Sequence, residues 1–144
     1  MLHLTLVFLG STSPSRVPAW NDALSEVAQR HVAFPVETGD AGGRVGGRRG
    51  GVAWLRLSRG AHEVAQLALD IDRAIGSNVF TERTAPRPHL TVARHVSADA
   101  LDDLRRVADE TQISWRADRI VLFRSHTRAS GSVYEVLTSV ALRP

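Results

Sequence analysis

Two tetrapeptides of one form, His-apolar-Thr-apolar, stand in this chain: His3-Leu4-Thr5-Leu6 and His89-Leu90-Thr91-Val92. The chain has 6 histidines, and the other four, His31, His62, His95 and His126, have no Thr two residues on. With these residue frequencies a pair of matches is expected by chance at roughly 0.002. Side chains alternate faces along an extended strand, so each tetrapeptide turns an imidazole and a hydroxyl to one side and two apolar residues to the other. Two such strands brought together converge two imidazoles and two hydroxyls on one cavity. Histidine titrates near neutral pH, so one ring can take a proton while the other gives one. Threonine hydroxyls and nearby backbone N–H groups can hold charge as it builds on non-bridging oxygens. The set suits displacement at phosphorus, with a base on the attacking water and an acid on the departing oxygen, and it requires no metal. No third His or carboxylate stands at a regular offset to make a two-His metal site.

The elements that must position these residues can be read from pattern. Leu2 to Leu9 reads as a strand ended by Gly10. Val17, Trp20, Leu24, Val27 and Ala28 recur at helical spacing, predicting a helix from Ser15 to about Arg30. Phe34, Val36 and Thr38 alternate as in a strand, and Val52 to Leu57 is another. Between them, Gly39 to Gly51 (GDAGGRVGGRRGG) is expected to be a flexible loop. A second helix is predicted from about Ala61 to Ile75, with Val64, Leu67, Ala68, Ile71 and Ile75 on one face. Pro86 and Pro88 precede the second motif strand, His89 to Arg94. Ser97 and Asp99 are candidate caps for a third helix containing Leu101, Leu104, Val107 and Ala108. Ile113–Trp115, Arg119–Arg124 and Val133–Leu142 read as three more strands, the last two pairing across a turn-rich segment. A motif strand, a helix and two strands thus occur twice, which suggests an internal duplication. Antiparallel strands with helices outside them make an α+β domain of two lobes around a cleft.

At 144 residues the chain makes a single domain, 1–144, large enough for a real core. The 43% apolar and 23% charged content is that of a globular protein. No run reaches the length of a membrane span, and the first residues lack the basic leader of a signal peptide, so a cytoplasmic protein without a membrane partner is expected. With 0 cysteines there are no disulfides and no thiol catalysis. All 18 basic residues are Arg, against 15 acidic ones. Arg binds phosphate through a bidentate fork, which suits a phosphate-rich partner, although codon bias is the simpler explanation of the usage. Arg44, Arg48 and Arg49 in the Gly-rich stretch resemble Arg-Gly segments that bind single-stranded nucleic acid. No GKS or GKT follows the glycines, so they do not make a P-loop. His31 and His62 read as surface or helix-end residues, and His126 has no partner that the sequence identifies.

At the two tetrapeptides the chain resembles the 2H phosphoesterase superfamily, and more narrowly the bacterial and archaeal RNA 2′,3′-cyclic phosphodiesterases, also called 2′-5′ RNA ligases. HLTLVFLG is similar to the family's first motif, PHLTVAR to its second, VAWLRL to the strand before the middle helix, and RIVLFRSHTRASGSVYEVL to the closing hairpin. The resemblance covers nearly the whole chain. It implies a bilobal α+β fold with a pseudo-twofold axis and, without a cofactor, hydrolysis of RNA 2′,3′-cyclic phosphate ends to 2′-phosphate, with 2′-5′ ligation as a further activity. Carried over by position, His3 and His89 are the catalytic pair, Thr5 and Thr91 hold the phosphate, Phe8 stacks on a base and Arg94 binds phosphate. Simple strand parity opposes the last two: Phe8 falls on the face of Leu4 and Leu6, and Arg94 on the face opposite His89. Both need a bulge or an early strand end. Members carry a strand and a helix before the first motif. If Met1 is the true start, the first lobe is truncated and its motif strand is a sheet edge that a homodimer could cover. Alternatives to an RNA end as substrate are a small nucleotide such as an ADP-ribose cyclic phosphate, or a non-catalytic RNA-binding role.

Overall fold

Three apolar stripes at helical spacing form three helices. A 3-10 turn at Pro14–Arg16 leads into α1 (Val17–Ala28), which buries Trp20, Leu24, Val27 and Ala28. α2 (Ala61–Ile75) buries Val64, Leu67, Ala68, Ile71 and Ile75. α3 (Ala98–Glu110) begins where the Ser97 hydroxyl accepts the Ala100 N–H at 3.2 Å, the cap expected there. These elements belong to a computed structural model that describes residues 3–46, 50–81, 84–128 and 131–144.

The strands are β1 (Phe34–Arg44), β2 (Val52–Arg59), β3 (His89–Arg94), β4 (Ser114–Ala117), β5 (Arg119–Arg128) and β6 (Gly131–Ala141). β3, β2, β1 and β4 form one antiparallel sheet in that order, and β5 and β6 form a hairpin. The chain runs motif segment, α1, β1, β2, then β3, α3, β4, β5, with α2 joining the two series. α1 and α2 pack with Phe34, Val36, Ile120 and Leu142 into the larger core. Ala41, Leu55, Leu90 and Ala108 form a second core under α3. Leu4 packs against both, so the first motif is pinned where the two cores meet.

Two expectations are corrected. The stretch Gly39 to Gly51 is not a loop throughout: β1 continues to Arg44, with Gly42 opposite Trp54, Gly43 opposite Ala53 and Arg44 opposite Val52. The glycines there make room. A Cβ on Gly43 would lie 2.8 Å from the Val52 carbonyl oxygen and against the Leu101 side chain of α3. Strand-interior glycine marks close approach here rather than disorder. Arg48 and Arg49 lie outside the described residues.

The second correction concerns the strand expected from Leu2 to Leu9. From His3 on, it pairs only through one antiparallel bridge, Leu4 with Leu90. Leu2 lies outside the described residues. Leu4, Leu6, Val7 and Leu9 pack on the larger core. Because the neighbours Leu6 and Val7 both turn inward, the alternation slips by one residue and Phe8 emerges 75% exposed. Parity counted from Leu4 would have buried it.

One buried carboxylate orders the approach to the second motif. Asp72, near the end of α2, accepts the Val79 N–H at 2.9 Å, the Phe80 N–H at 3.2 Å and the Ser77 hydroxyl. Burial by itself would raise its pKa, but these three donors, with the charge of Arg73, outweigh burial and hold the carboxyl below its ordinary value. The folded-state pKa is thus below the unfolded one. The stabilisation is complete above the unfolded value and is lost as pH falls through the folded value. Asp72→Ala is expected to cost about 1.5–3 kcal/mol at neutral pH and to flatten the acid side of the stability curve. Urea melts at neutral and acid pH check this, and an unchanged acid slope counts against it.

Candidate active site

The single bridge between Leu4 and Leu90 decides the geometry of both motifs. Antiparallel pairing of those two sets Thr5 across from His89 and His3 across from Thr91. Residues directly opposite have Cβ atoms about 4.5–5.5 Å apart and diagonal neighbours lie about 7–8 Å apart. Leu4 and Leu90 turn into the core, so the four polar residues share the other face, with the two histidines on one diagonal and the two threonines on the other.

The sheet carries this face further. Arg56 of β2 is opposite His89, and Trp54 is opposite Thr91. Between Ala53 and Trp54 the register shifts, so Val92 is an extra residue on β3 and Ala93 then pairs with Ala53. Ala53 is buried in the core, 1% exposed. The bulge therefore returns Arg94, opposite Val52, to the side of His89 and Thr91, against the count of simple alternation. Arg44, on the far side of Val52, completes that row. Arg44, Arg56 and Arg94 are all exposed. Arg56 forms an ion pair with Asp40 of β1.

Each imidazole is seated differently. His89 is exposed, and its Nδ1 lies 2.7 Å from the Arg87 carbonyl oxygen. A carbonyl only accepts, so Nδ1 carries the proton and donates, which leaves Nε2 of the neutral ring as the free base. The Trp54 ring stands edge-on to it at 5.9 Å. His3 lies instead against the hairpin, with Tyr134 at 5.0 Å and Phe123 at 5.9 Å between ring centroids. Its Nδ1 is buried and has no hydrogen-bond partner among the described residues, so Nε2 is the nitrogen left to reach a bound molecule.

His3, Thr5, His89, Thr91 and Arg94 thus come together on one surface, and Phe8 stands exposed on the segment that carries the first motif. Alternation in VAWLRL already places Trp54 and Arg56 on one face; what the sequence did not disclose is that this strand lies beside His89. Phe123 and Tyr134 carried no periodic signal toward His3. Two of the remaining histidines are tied elsewhere. His31 Nε2 pairs with Asp70 at 3.0 Å, joining the end of α1 to α2. His126 Nε2 pairs with Glu135 at 3.0 Å, and that hydrogen bond, helped by Arg124, holds the Glu135 carboxyl below its ordinary value. Among the described residues no three His, Cys, Asp or Glu are arranged to hold a metal ion, and no helix is long and apolar enough to cross a membrane.

Known proteins resemble this chain in sequence and in fold. The family model described as the 2′-5′ RNA ligase superfamily matches residues 1–129. An RNA 2′,3′-cyclic phosphodiesterase of Aquifex aeolicus (strain VF5) is 24% identical over 141 residues, covering 94% of this chain and 75% of that protein. Among solved structures, Escherichia coli LigT complexed with 3′-AMP is 25% identical with a TM-score of 0.70, over 98% of this chain and 75% of that one. TT0787 of Thermus thermophilus shares the fold, with a TM-score of 0.71 at 24% identity over 99% of this chain and 78% of that one. With a family model spanning nearly its full length and both His-x-Thr segments set side by side on one face, the chain belongs to the 2′-5′ RNA ligase superfamily, within the 2H phosphoesterases.

Proposed function

We propose that the protein hydrolyses 2′,3′-cyclic phosphate ends of RNA to 2′-phosphates, with His89 as general base and His3 as general acid. His89 Nε2 takes a proton from a water molecule whose oxygen attacks phosphorus. The P–O3′ bond breaks, and His3 gives its proton to the departing O3′. Solvent then restores both rings. The Thr5 and Thr91 hydroxyls donate to the non-bridging oxygens, and Arg94 offsets the charge that builds on them. Phe8, exposed on the first motif segment, offers a ring to the terminal base. With the 5′-hydroxyl of a second RNA end in place of water, the same step would join a 2′-5′ linkage: His89 takes the hydroxyl proton, the P–O3′ bond breaks and His3 protonates O3′.

The observation that carries this reading is the Leu4–Leu90 bridge, which assembles the two motifs into one array of two imidazoles and two hydroxyls. Family membership and the resemblance to the Aquifex aeolicus phosphodiesterase support the substrate class. The test is a short oligoribonucleotide with a cyclic end, incubated with the protein in EDTA and followed by phosphorus NMR. The expected product is the 2′-phosphate, at a rate EDTA does not change. Loss of turnover in EDTA sinks the metal-independent mechanism. Equal turnover of a cyclic mononucleotide favours the small-nucleotide substrate, and binding without turnover identifies a binding module.

A further inference from the structure

Gly42 stands inside β1, two residues before its end, where glycine weakens a strand unless something needs the space. Trp54 needs it. The indole lies on the bare backbone of Gly42, its cross-strand partner. A Cβ on Gly42 would come within 2.8 Å of Trp54 Cε2 and 3.2 Å of Cδ1, and would collide with Nε1. Trp54 in turn presents its ring to His89 at 5.9 Å and an interplanar angle of 60°. An edge-to-face pair of this kind has a preferred orientation, so it resists rotation of either ring. His89 is exposed and gains little restraint from the core. Its described restraints are two: the hydrogen bond from Nδ1 to the Arg87 carbonyl at 2.7 Å and the Trp54 ring. The hydrogen bond chooses the tautomer, and the indole limits the angle at which Nε2 faces the phosphate.

We infer that Gly42 and Trp54 are positioning residues for His89: the glycine opens a slot in β1, the indole lies in it, and the indole holds the imidazole in line with its carbonyl partner. The inference rests on the reading of His89 as general base and extends it to two residues that act through the imidazole. A seat of this kind acts on turnover and on the ring's protonation behaviour rather than on substrate affinity.

The test compares Gly42→Ala, Trp54→Ala and Trp54→Phe with the unaltered protein. Three quantities are measured: kcat and KM across pH, melting temperature, and the nitrogen-15 NMR shifts of the His89 ring in the substrate-free protein. In Gly42→Ala and Trp54→Ala, kcat should fall about tenfold or more, within the ~10² that a misplacement of about 1 Å can cost. KM should stay within about twofold, the acid limb of the pH profile should move, and the His89 shifts should leave the pure Nδ1–H tautomer. Trp54→Phe keeps an aromatic edge and should recover most of the turnover. If Gly42→Ala does not fold, Trp54→Ala carries the test, because truncation creates no clash. Folded variants with unchanged His89 shifts and an unchanged pH profile overturn the proposal. So does a Trp54→Ala protein that loses melting temperature alone. The NMR readout needs no turnover, so full activity of a His89→Ala protein would remove the base assignment while leaving the seat to be judged by its own spectrum.

Discussion

Replacing His89 by Ala is expected to lower turnover of a cyclic-phosphate end by about 10²–10⁴-fold while leaving the fold in place. The ring is exposed, with one hydrogen bond to a carbonyl and one ring contact. Its loss therefore stays within about 0.5 kcal/mol of stability, as for other surface substitutions. His3→Ala should lose turnover to the same order, because water must then protonate the departing oxygen unaided. The double variant should lose little more than either single one, since an acid and a base acting in one step are not additive. Rate against pH should trace a bell, as a paired acid and base in one step require. Steady-state kinetics with thermal melts settle the matter. A cleanly folded His89→Ala protein with full turnover would falsify the mechanism.

Leu90→Ala is the substitution expected to hurt the fold most while also reaching the site. Leu90 is 4% exposed, pairs with Leu55 across β2 and β3, and makes the one bridge to Leu4. Truncating a buried Leu costs about 2–5 kcal/mol through lost transfer energy and the cavity left behind. For a domain of this size each kcal/mol lowers Tm by roughly 2–4 °C. Among the described residues the first motif segment has a single backbone bridge to the sheet, so loss of the Leu90 side chain is expected also to loosen His3 and Thr5 relative to His89. Turnover measured well below the melting transition should fall by more than in Leu101→Ala. Leu101 is equally buried at 3%, but it packs from α3 against Gly43 and away from the first motif. Equal turnover in the two variants would mean that the Leu4–Leu90 contact does not hold the array together.

Much of the fold was legible. The stripes of α1 and α2 and the Ser97 cap are local features, set by helical spacing and by a hydroxyl three residues from an N–H it can reach. The site was legible in part. That His3 goes with Thr5, and His89 with Thr91, follows from alternation within a strand. The Gly-rich stretch misled because glycine's local preference for turns was overridden by non-local packing: Trp54 and Leu101 need the space that only Gly42 and Gly43 leave.

By itself, then, the sequence determined which residues share a face, which stripes become core, and the repeated His-x-Thr on which the proposed chemistry is built. These depend on stereochemistry within a few residues. The tertiary structure alone decided that the first motif lies against the second, that a bulge at Val92 brings Arg94 round to His89, that the slip at Leu6 and Val7 turns Phe8 outward, and that each imidazole has its own aromatic neighbour. Those outcomes depend on which distant segments bury their apolar sides together, here Leu4 against Leu90 between two cores, and no window of neighbouring residues contains that choice.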